Sequence, residues 1–267
     1  MIYYKTNEEV ELIRKADLLV SATLAELAKL LKPGITTKYL DSVAETFIRD
    51  HGATPAFKGF RGFPFSTCMS VNAAVVHGFA SDEELQEGDI VSIDTGTILN
   101  GYVGDSAYTF ALGEIPADVQ QLLRVTKESL YLGIEKAVVG NRIGDIGWAV
   151  QEHTEKKHGY GVVRELTGHG VGKKLHEEPE VPNYGRRGQG LKLQDGLVIA
   201  IEPMINLGKK DIFCADDDWT IVTEDGKVSA HFEHSVCVRK QNADILSSFA
   251  EIESNEKANP NLFWSYA

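Results

Sequence analysis

The sequence predicts an α+β fold built from two pseudo-symmetric halves, each with two helices followed by antiparallel strands. Helical and strand-like runs occur in the same order twice, over residues 6–113 and again over residues 117–240. Each half also carries a glycine six residues before an apolar position of its second helix, at Gly34 and at Gly140. Such repetition indicates internal duplication.

The first half opens with a long helix. Thr6 and Glu9 form a capping-box pattern, apolar residues then recur at helical spacing, and Pro33-Gly34 ends the helix. A second helix is predicted over residues 37–50. Residues 57–65 are rich in Phe and Gly and are expected to form an ordered loop. Strand-like runs follow at residues 66–71, 74–77, 89–94 and 102–112.

The second half repeats this order. Helices are predicted over residues 117–138 and 143–158, and strands near residues 161–165, 197–202, 219–223 and 228–239. Residues 1–250 are expected to form a single domain. The tail over residues 251–267 is polar and then aromatic. This pattern is compatible both with a frayed terminus and with a segment that docks onto the domain.

Composition narrows the functional classes. A chain of 267 residues with 43% hydrophobic residues can build one large core, but is too short for two enzyme domains and a linker. The net charge of −12 opposes DNA binding. No apolar run approaches the roughly 20 residues that span a membrane, and no signal peptide is evident. Three widely spaced cysteines favour a reducing compartment, so a cytoplasmic protein is expected.

Four carboxylates and one imidazole stand in or beside strand-like runs and are the candidate site. They are Asp94, Asp105, His169, Glu202 and Glu233. Brought together, four carboxylates would carry about −4, which a folded interior does not tolerate without cations. Two divalent ions held by these oxygens and one nitrogen would balance the charge. Paired ions of this kind usually perform hydrolysis.

The local context of each residue supports this grouping to a different degree. Asp94 and Asp105 flank a turn-like segment, so a hairpin would bring them side by side, although either alone could cap a turn or face solvent. His169 lies in a glycine-rich run that also suits an ordinary loop. Glu202 ends an apolar strand, which packing alone does not explain. Alternation places Glu233 on one face with His231 and Ser235, and His234 on the other, flanking the site.

Together these runs resemble methionine aminopeptidases of the short bacterial type (type I), in the peptidase family whose fold is likened to pita bread. The resemblance covers some 240 residues, and its motifs lie in order over about residues 60–240. The matching runs are Ser70-Val71-Asn72 with His77-Gly78, Asp94 with Asp105, Thr167 to Gly172, His176-Glu177-Glu178-Pro179, Ile201-Glu202-Pro203-Met204 and Phe232-Glu233-His234.

The resemblance implies a dinuclear metal site between the two halves. Asp105 and Glu233 would bridge two divalent ions, Asp94 would chelate one, and His169 with Glu202 would complete the other. Co, Mn, Fe and Zn all suit these ligands, and the sequence does not choose among them. A monovalent cation is implied as well, at the positions of Asn72 and Ser229.

The implied activity is metal-dependent removal of N-terminal methionine from peptides and nascent chains, with preference for a small second residue. Glu202 would transfer the proton, His176 would donate a hydrogen bond to the tetrahedral intermediate, and His77 would contact the scissile amide nitrogen. A narrow apolar pocket would take the methionine side chain. Its expected lining is Phe57, Phe60, Phe63, Cys68, His77, Leu175, His176 and Trp219.

Several positions depart from the family pattern. Gly96 stands where Thr is common, Val103 where His is frequent, and Phe57 and Leu175 where Cys and Phe often line the pocket. These departures leave the five ligands intact and bear on the pocket shape, the outer water network and the metal preference. In some relatives a basic loop helps the enzyme dock on ribosomes. The corresponding loop here is less basic, because an acidic run at residues 216–218 follows the lysines at 209–210. Transient ribosome contact and a monomeric state are family-level expectations.

Two other functions remain as alternatives. A proline-specific aminopeptidase or dipeptidase of the same fold would share the five ligands, but such enzymes usually carry a large N-terminal domain. A non-catalytic binding module of this fold would be expected to lack several ligands, whereas the sequence keeps all five.

Overall fold

The computed structural model describes residues 1–263. Its helices are α1 (Asn7–Leu30), α2 (Thr37–Asp50), α3 (Ala117–Ile134), α4 (Ile143–Gln151) and α5 (Ala250–Ala258). Its strands are β1 (Thr54–Pro55), β2 (Thr67–Val71), β3 (Ala74–Val76), β4 (Ile90–Leu99), β5 (Tyr102–Ala111), β6 (Gly161–Val162), β7 (Gly168–Gly170), β8 (Glu177–Val181), β9 (Val198–Ile201), β10 (Met204–Asn206), β11 (Ile212–Cys214), β12 (Ile221–Thr223), β13 (Ser229–His231), β14 (His234–Cys237) and β15 (Asp244–Ile245).

Side-chain caps mark the starts of the first two helices. The Thr6 hydroxyl accepts the Glu9 N–H, and the Glu9 carboxylate accepts the Thr6 N–H, which confirms the capping box at the start of α1. Such a cap contributes about 1 kcal/mol to helix stability. The Thr36 hydroxyl caps α2 by accepting the Tyr39 N–H. The predicted range of α2, residues 37–50, is confirmed.

The first half is organised around the long β4–β5 hairpin. These strands pair antiparallel from Ile90 opposite Ala111 to Leu99 opposite Tyr102. The other edge of β4 pairs with β2 and, near its end, with β1. The helix α1 packs across β4 and β5, and its apolar face is fully buried there. This half therefore presents the two hairpin aspartates on one rigid sheet.

The second half contains a five-stranded antiparallel sheet in the order β15-β14-β9-β7-β8 and a three-stranded sheet in the order β13-β10-β6. A further sheet joins the halves, because β12 pairs with β11 on one side and with β3 of the first half on the other. The helices α3 and α4 pack against each other over the second half. The predicted α+β fold with two helices in each half is confirmed.

The prediction of one continuous strand over residues 228–239 is wrong. Residues 228–239 form two strands, β13 and β14, with an interruption at Phe232-Glu233. The reason is a change of partner, since β13 pairs with β10 whereas β14 pairs with β9. Between them, the Glu233 N–H donates to the Ala107 carbonyl of β5.

The helices of the second half are shorter than predicted. The helix α3 ends at Ile134, because Val138 and Val139 leave the helix and pair with the backbone of Arg239. The helix α4 ends at Gln151 and continues as a π-helical turn over Glu152–Lys157. Sequence patterns also missed the strands β7 and β8, which are short and rich in glycine or glutamate.

The C-terminal segment docks onto the body of the protein as far as residue 263. The Asn255 amide donates to the Ala25 carbonyl, and the Asn259 amide donates to the carbonyls of Ala28 and Leu31 at the end of α1. The aromatic residues of the predicted tail at positions 264 and 266 lie outside the described residues. The domain boundary at residue 250 stays a prediction. Within residues 1–263, no helix has the length and apolar character needed to cross a membrane.

Candidate metal centre and active-site cavity

All five candidate ligands line one cavity of about 580 Å³ between the two halves. The first half supplies two carboxylates from the β4–β5 hairpin, and the second half supplies an imidazole and two carboxylates. These ligands are Asp94, Asp105, His169, Glu202 and Glu233. Residues more than 130 positions apart in the chain therefore meet at one site.

The two aspartates are diagonal neighbours on the hairpin. Asp94 stands opposite Ala107, and Asp105 stands opposite Gly96, so the carboxylates are offset by two residues along the strands. Both lie on the cavity face of the sheet, because positions separated by an even number of steps in register share a face. The hairpin therefore places them together without pairing them directly.

The distances between donor atoms suit a shared ion. His169 Nε2 lies 3.7 Å from Asp105 Oδ2 and 3.6 Å from Glu202 Oε1. Donor atoms of Asp105, His169 and Glu233 all lie within 4.8 Å of one another. Two ligands bound to one ion at about 2.1 Å each can be at most about 4.2 Å apart. The separations of 3.6 and 3.7 Å fall inside this limit.

The carboxylates carry unsatisfied buried oxygens. Asp94 Oδ1, Asp105 Oδ1 and Glu233 Oε1 are buried without a hydrogen-bond partner among the described residues. Burial raises the pKa of Asp94 to about 8. Burial, and then repulsion from neighbouring carboxylates, raises the pKa of Asp105, Glu202 and Glu233 well above the usual range. Several buried carboxylate oxygens without hydrogen-bond partners are suited to binding divalent cations, which would compensate their negative charge.

His169 is set up to offer a lone pair to the same site. Its Nδ1 lies 3.0 Å from the Gly170 carbonyl oxygen, which can only accept, so Nδ1 carries the proton. Nε2 is then the unprotonated nitrogen and faces Asp105 and Glu202. Burial, followed by repulsion from His176, lowers the pKa of His169 to about 3. The neutral ring with a fixed tautomer has the form that binds metals.

Two further histidines stand at the edge of the ligand cluster. The His176 ring centroid lies 4.2 Å from that of His169, and burial lowers the pKa of His176 to about 4. His77 lines the same cavity in the left-handed backbone region, at φ 59°. Burial also lowers its pKa. Strained backbone of this kind is common at functional sites. Both rings are neutral at physiological pH and can donate or accept a hydrogen bond.

One part of the cavity wall is formed mainly by aromatic and other apolar side chains. Every residue predicted to line a methionine pocket lies on it: Phe57, Phe60, Phe63, Cys68, His77, Leu175, His176 and Trp219. Phe63 and Trp219 meet edge to face at 5.1 Å. Cys68 stands opposite Asp94 in the β2–β4 register, and burial raises the pKa of its thiol well above normal. The cavity thus joins a cluster of charged groups to a compartment for an apolar side chain.

Two of the departures from the family pattern are spatially linked. A Cβ at Gly96 would lie 2.9 Å from Phe57 Cε1 and 3.0 Å from Ala56 Cβ. The Phe57 ring therefore occupies the space that a side chain at position 96 would need. Val103, another departure, is buried, and its N–H donates to the Gly172 carbonyl. Leu175 is also buried in the pocket wall.

One residue near the ligands was not predicted as a site residue. His231 is fully buried, its Nε2 lies 3.8 Å from Glu202 Oε2, and neither ring nitrogen has a hydrogen-bond partner among the described residues. Burial lowers its pKa to about 3. The alternation that placed His231 on the face of Glu233 was the signal that could have found it. By contrast, His234 bonds to Ser247 and stacks on Phe249, away from the cavity.

The predicted monovalent-cation residues lie together outside the cavity lining. The Ser229 N–H donates to the Asn72 carbonyl, and the Ser229 hydroxyl donates to Asn206 Oδ1 at 2.8 Å. The Asn72 amide donates to Asp89 Oδ1, and Asn72 itself has a left-handed backbone at φ 52°. A cation between Asn72 and Ser229 stays a prediction.

Comparisons with known proteins agree with this geometry. The model of "Metallopeptidase family M24" matches residues 11–240. The chain is 51% identical to a methionine aminopeptidase of Clostridium acetobutylicum over 248 residues, which cover 92% of this chain and 99% of the relative. The crystal structure of methionine aminopeptidase from Rickettsia prowazekii superposes with a TM-score of 0.91 at 39% identity, covering 93% of this chain and 100% of that one.

A more distant likeness extends to proline peptidases. Prolidase from Pyrococcus furiosus superposes with a TM-score of 0.73 at 26% identity, covering 92% of this chain but 65% of that one. The pita-bread fold expected from the sequence is therefore confirmed by solved structures.

Proposed function

The chain belongs to metallopeptidase family M24, and from that premise we propose that it is a metalloaminopeptidase that removes N-terminal methionine from peptides and nascent proteins. The observation that carries this proposal is the cavity in which the five candidate metal-ligand side chains adjoin an apolar pocket. The high identity to methionine aminopeptidases over nearly the whole chain supports the same substrate.

The ligand cluster would hold two divalent ions. Asp105 and Glu233 would bridge them, Asp94 would complete one ion, and His169 with Glu202 would complete the other. When bound, the ions would supply Lewis acidity that polarises the scissile carbonyl and lowers the pKa of a water molecule. The neutral imidazole and carboxylate oxygens suit Co, Mn, Fe or Zn alike.

The protein groups around the ions have separate tasks. Glu202 borders His169 at 3.6 Å, where its carboxylate can take a proton from the attacking water and deliver it to the departing amine. His176, neutral and next to His169, can donate a hydrogen bond to the oxyanion that forms at the scissile carbonyl. His77, whose ring meets that of Trp219 edge to face, would contact the scissile amide nitrogen.

The apolar compartment would bind the methionine side chain. Phe63, Trp219 and Cys68 supply rings and a neutral sulfur, which suit an unbranched thioether. The substrate's α-amino group would lie at the end of the cavity marked by Asp94. The proposal includes a preference for a small second residue, which is what the resemblance to this family implies.

Direct competition between substrates tests the function. The purified protein, loaded with Mn²⁺ or Co²⁺, should release methionine from Met-Ala-Ser and leave Ala-Pro-Ala intact. Cleavage of Ala-Pro-Ala instead would support the proline-specific alternative. Absence of activity with every divalent metal, together with absence of metal binding, would support a non-catalytic module.

The remaining assignments follow from this function. We place the protein in the cytoplasm, as a monomer whose partner is the free N-terminus of a peptide or nascent chain. Transient ribosome contact belongs to the same proposal, and the mixed charge of the loop near Lys210 and Asp211 predicts that it is weak. Salt-sensitive cosedimentation with ribosomes would support the contact, and no cosedimentation at low salt would count against it.

A further inference from the structure

Asp17 is a buried carboxylate that the proposed mechanism does not use. It lies on α1, is fully buried, and forms no ion pair among the described residues. One carboxylate oxygen, Oδ2, is buried without a hydrogen-bond partner. Burying a carboxyl group with one unsatisfied oxygen is unfavourable, so the contacts of the other oxygen are informative.

The other oxygen of Asp17 holds the backbone of a metal-ligand residue. Asp17 Oδ1 accepts the Asp105 N–H at 2.8 Å. The contact depends on a close approach of α1 to β5, since a Cβ at Gly104 would collide with the backbone of Ala16 and Asp17. Glycine at position 104 therefore lets the helix carboxylate reach the strand.

The Asp105 carbonyl is held from the opposite half of the protein. The Ser235 hydroxyl, on β14, donates to the Asp105 carbonyl at 3.1 Å. Both backbone polar groups of Asp105 are thus bonded to side chains, one from α1 and one from β14. The residue after it continues this pattern, because the Ser106 hydroxyl donates to the Glu233 carbonyl at 2.7 Å.

We propose that Asp17 and Ser235 are positioning residues that fix Asp105 in the orientation needed to bridge two divalent ions. Asp17 holds the N–H of Asp105 and Ser235 holds its carbonyl, so the backbone that carries the carboxylate is restrained from both sides. Outer groups that orient metal ligands typically change metal affinity or activity by about 10- to 100-fold when removed. This inference rests on the proposed metal-dependent function.

The test compares Asp17→Leu, which removes the acceptor, with Asp17→Asn, which keeps a carbonyl oxygen to accept the Asp105 N–H. Mn²⁺ is titrated calorimetrically into each metal-stripped protein. Asp17→Leu should bind Mn²⁺ about tenfold more weakly, and Asp17→Asn should stay within about threefold of wild type. At saturating Mn²⁺, Asp17→Leu should lower kcat on Met-Ala-Ser with little change in KM, because the methionine pocket is untouched.

A matched control separates positioning from general destabilisation. Thr23→Val removes a buried hydroxyl on the same helix whose hydrogen bond, to the Leu19 carbonyl, stays within the helix. Thr23→Val should lower thermal stability without changing Mn²⁺ affinity. Equal Mn²⁺ affinity of wild type and a folded Asp17→Leu variant would overturn the proposal.

Ser235→Ala provides the test if Asp17→Leu does not fold. It should weaken Mn²⁺ binding several-fold, and wild-type affinity in this variant would then overturn the proposal. Failure of the wild-type protein itself to bind Mn²⁺ or Co²⁺ would instead contradict the proposed function. The two failures are therefore distinguishable.

Discussion

Glu202 and Glu233 lie opposite each other in the gap between two antiparallel strand ladders that share one register. The β9–β14 ladder ends with Ile201 opposite His234, and the β10–β13 ladder resumes in the same register with Met204 opposite His231. A continuous ladder would pair Glu202 with Glu233. Instead, the Glu202 carbonyl accepts from Asn183 and the Glu233 N–H donates to β5.

This paired interruption explains how two buried glutamates come to face the cavity. At each glutamate the chain leaves its sheet for two residues. On one side of the gap Pro203 has no backbone N–H to donate to a neighbouring strand. The freed carboxylates meet the aspartates of the β4–β5 hairpin in the cavity. The ligand cluster is thus a consequence of partner exchange between strands.

Replacing Glu202 with Gln is expected to abolish turnover. The amide cannot accept and return a proton, and loss of general acid–base transfer typically costs 10²- to 10⁴-fold in rate. We expect kcat on Met-Ala-Ser to fall by at least about 100-fold, while circular dichroism stays unchanged. The exposed Glu224→Gln is the control and should keep full activity. Near-normal turnover of Glu202→Gln would refute the assignment of Glu202 as the proton carrier.

The metal-free protein should lose stability as the pH rises. Burial raises the pKa of Asp94 from 3.8 to about 8, so the fold favours the protonated form. That contribution is complete below pH 4 and is lost as the pH rises through 8. We expect the Tm of metal-stripped protein to fall by about 5–10 °C between pH 5.5 and pH 8.5.

Two measurements isolate the carboxylate cluster in that trend. Asp94→Asn should reduce the pH dependence of Tm in metal-free protein without abolishing it, because Asp94 no longer ionises while Asp105, Glu202 and Glu233 keep their raised pKa values. Mn²⁺ should raise Tm more at pH 8.5 than at pH 5.5, since protons compete with the cation for the ligands. A Tm of the stripped wild type that increases with pH would contradict the assignment.

Local sequence signals located the helices and the individual candidate ligands, but not which strands pair with one another. The capping residues Thr6 and Thr36 fixed the starts of α1 and α2, because caps act within one turn. The break at Phe232-Glu233 could not be read from alternation, since it depends on which distant strand is the partner. The same limit hid Asp17, whose role comes from its contact with Asp105.

Gly96 and Phe57 are expected to behave as a coupled pair. Gly96→Thr, which introduces the residue common in the family, would collide with the Phe57 ring. Overpacking of this kind costs about 1–3 kcal/mol, and we expect a matching loss in urea stability and a lower kcat/KM. Adding Phe57→Cys should recover part of both, because it removes the clash with the ring but not the close contacts with Ala56 and the Gly104 carbonyl. Additive effects in the double variant would show that the two positions are independent.

The docked C-terminal helix carries a second pH-sensitive carboxyl, remote from the metal ligands. Glu256 lies on α5, is 3% exposed, and accepts the Tyr108 hydroxyl at 2.7 Å. Its neighbour on the helix, Glu253, pairs with Lys127 of α3. Burial outweighs the Tyr108 hydrogen bond and the nearby Lys127 charge, and raises the pKa of Glu256 from 4.5 to about 7.

Glu256→Gln is therefore expected to stabilise the protein above neutral pH. A raised pKa means that the stability contributed by protonated Glu256 is present below about pH 4.5 and is lost as the pH rises through 7. Glutamine keeps an acceptor for Tyr108 and never ionises. Urea unfolding should show a gain of about 3 kcal/mol at pH 8.5 and less than about 1 kcal/mol at pH 5. Glu251→Gln, exposed on the same helix, should show neither effect. Parallel pH profiles for wild type and Glu256→Gln would mean that Glu256 ionises in the folded protein as freely as in the unfolded chain.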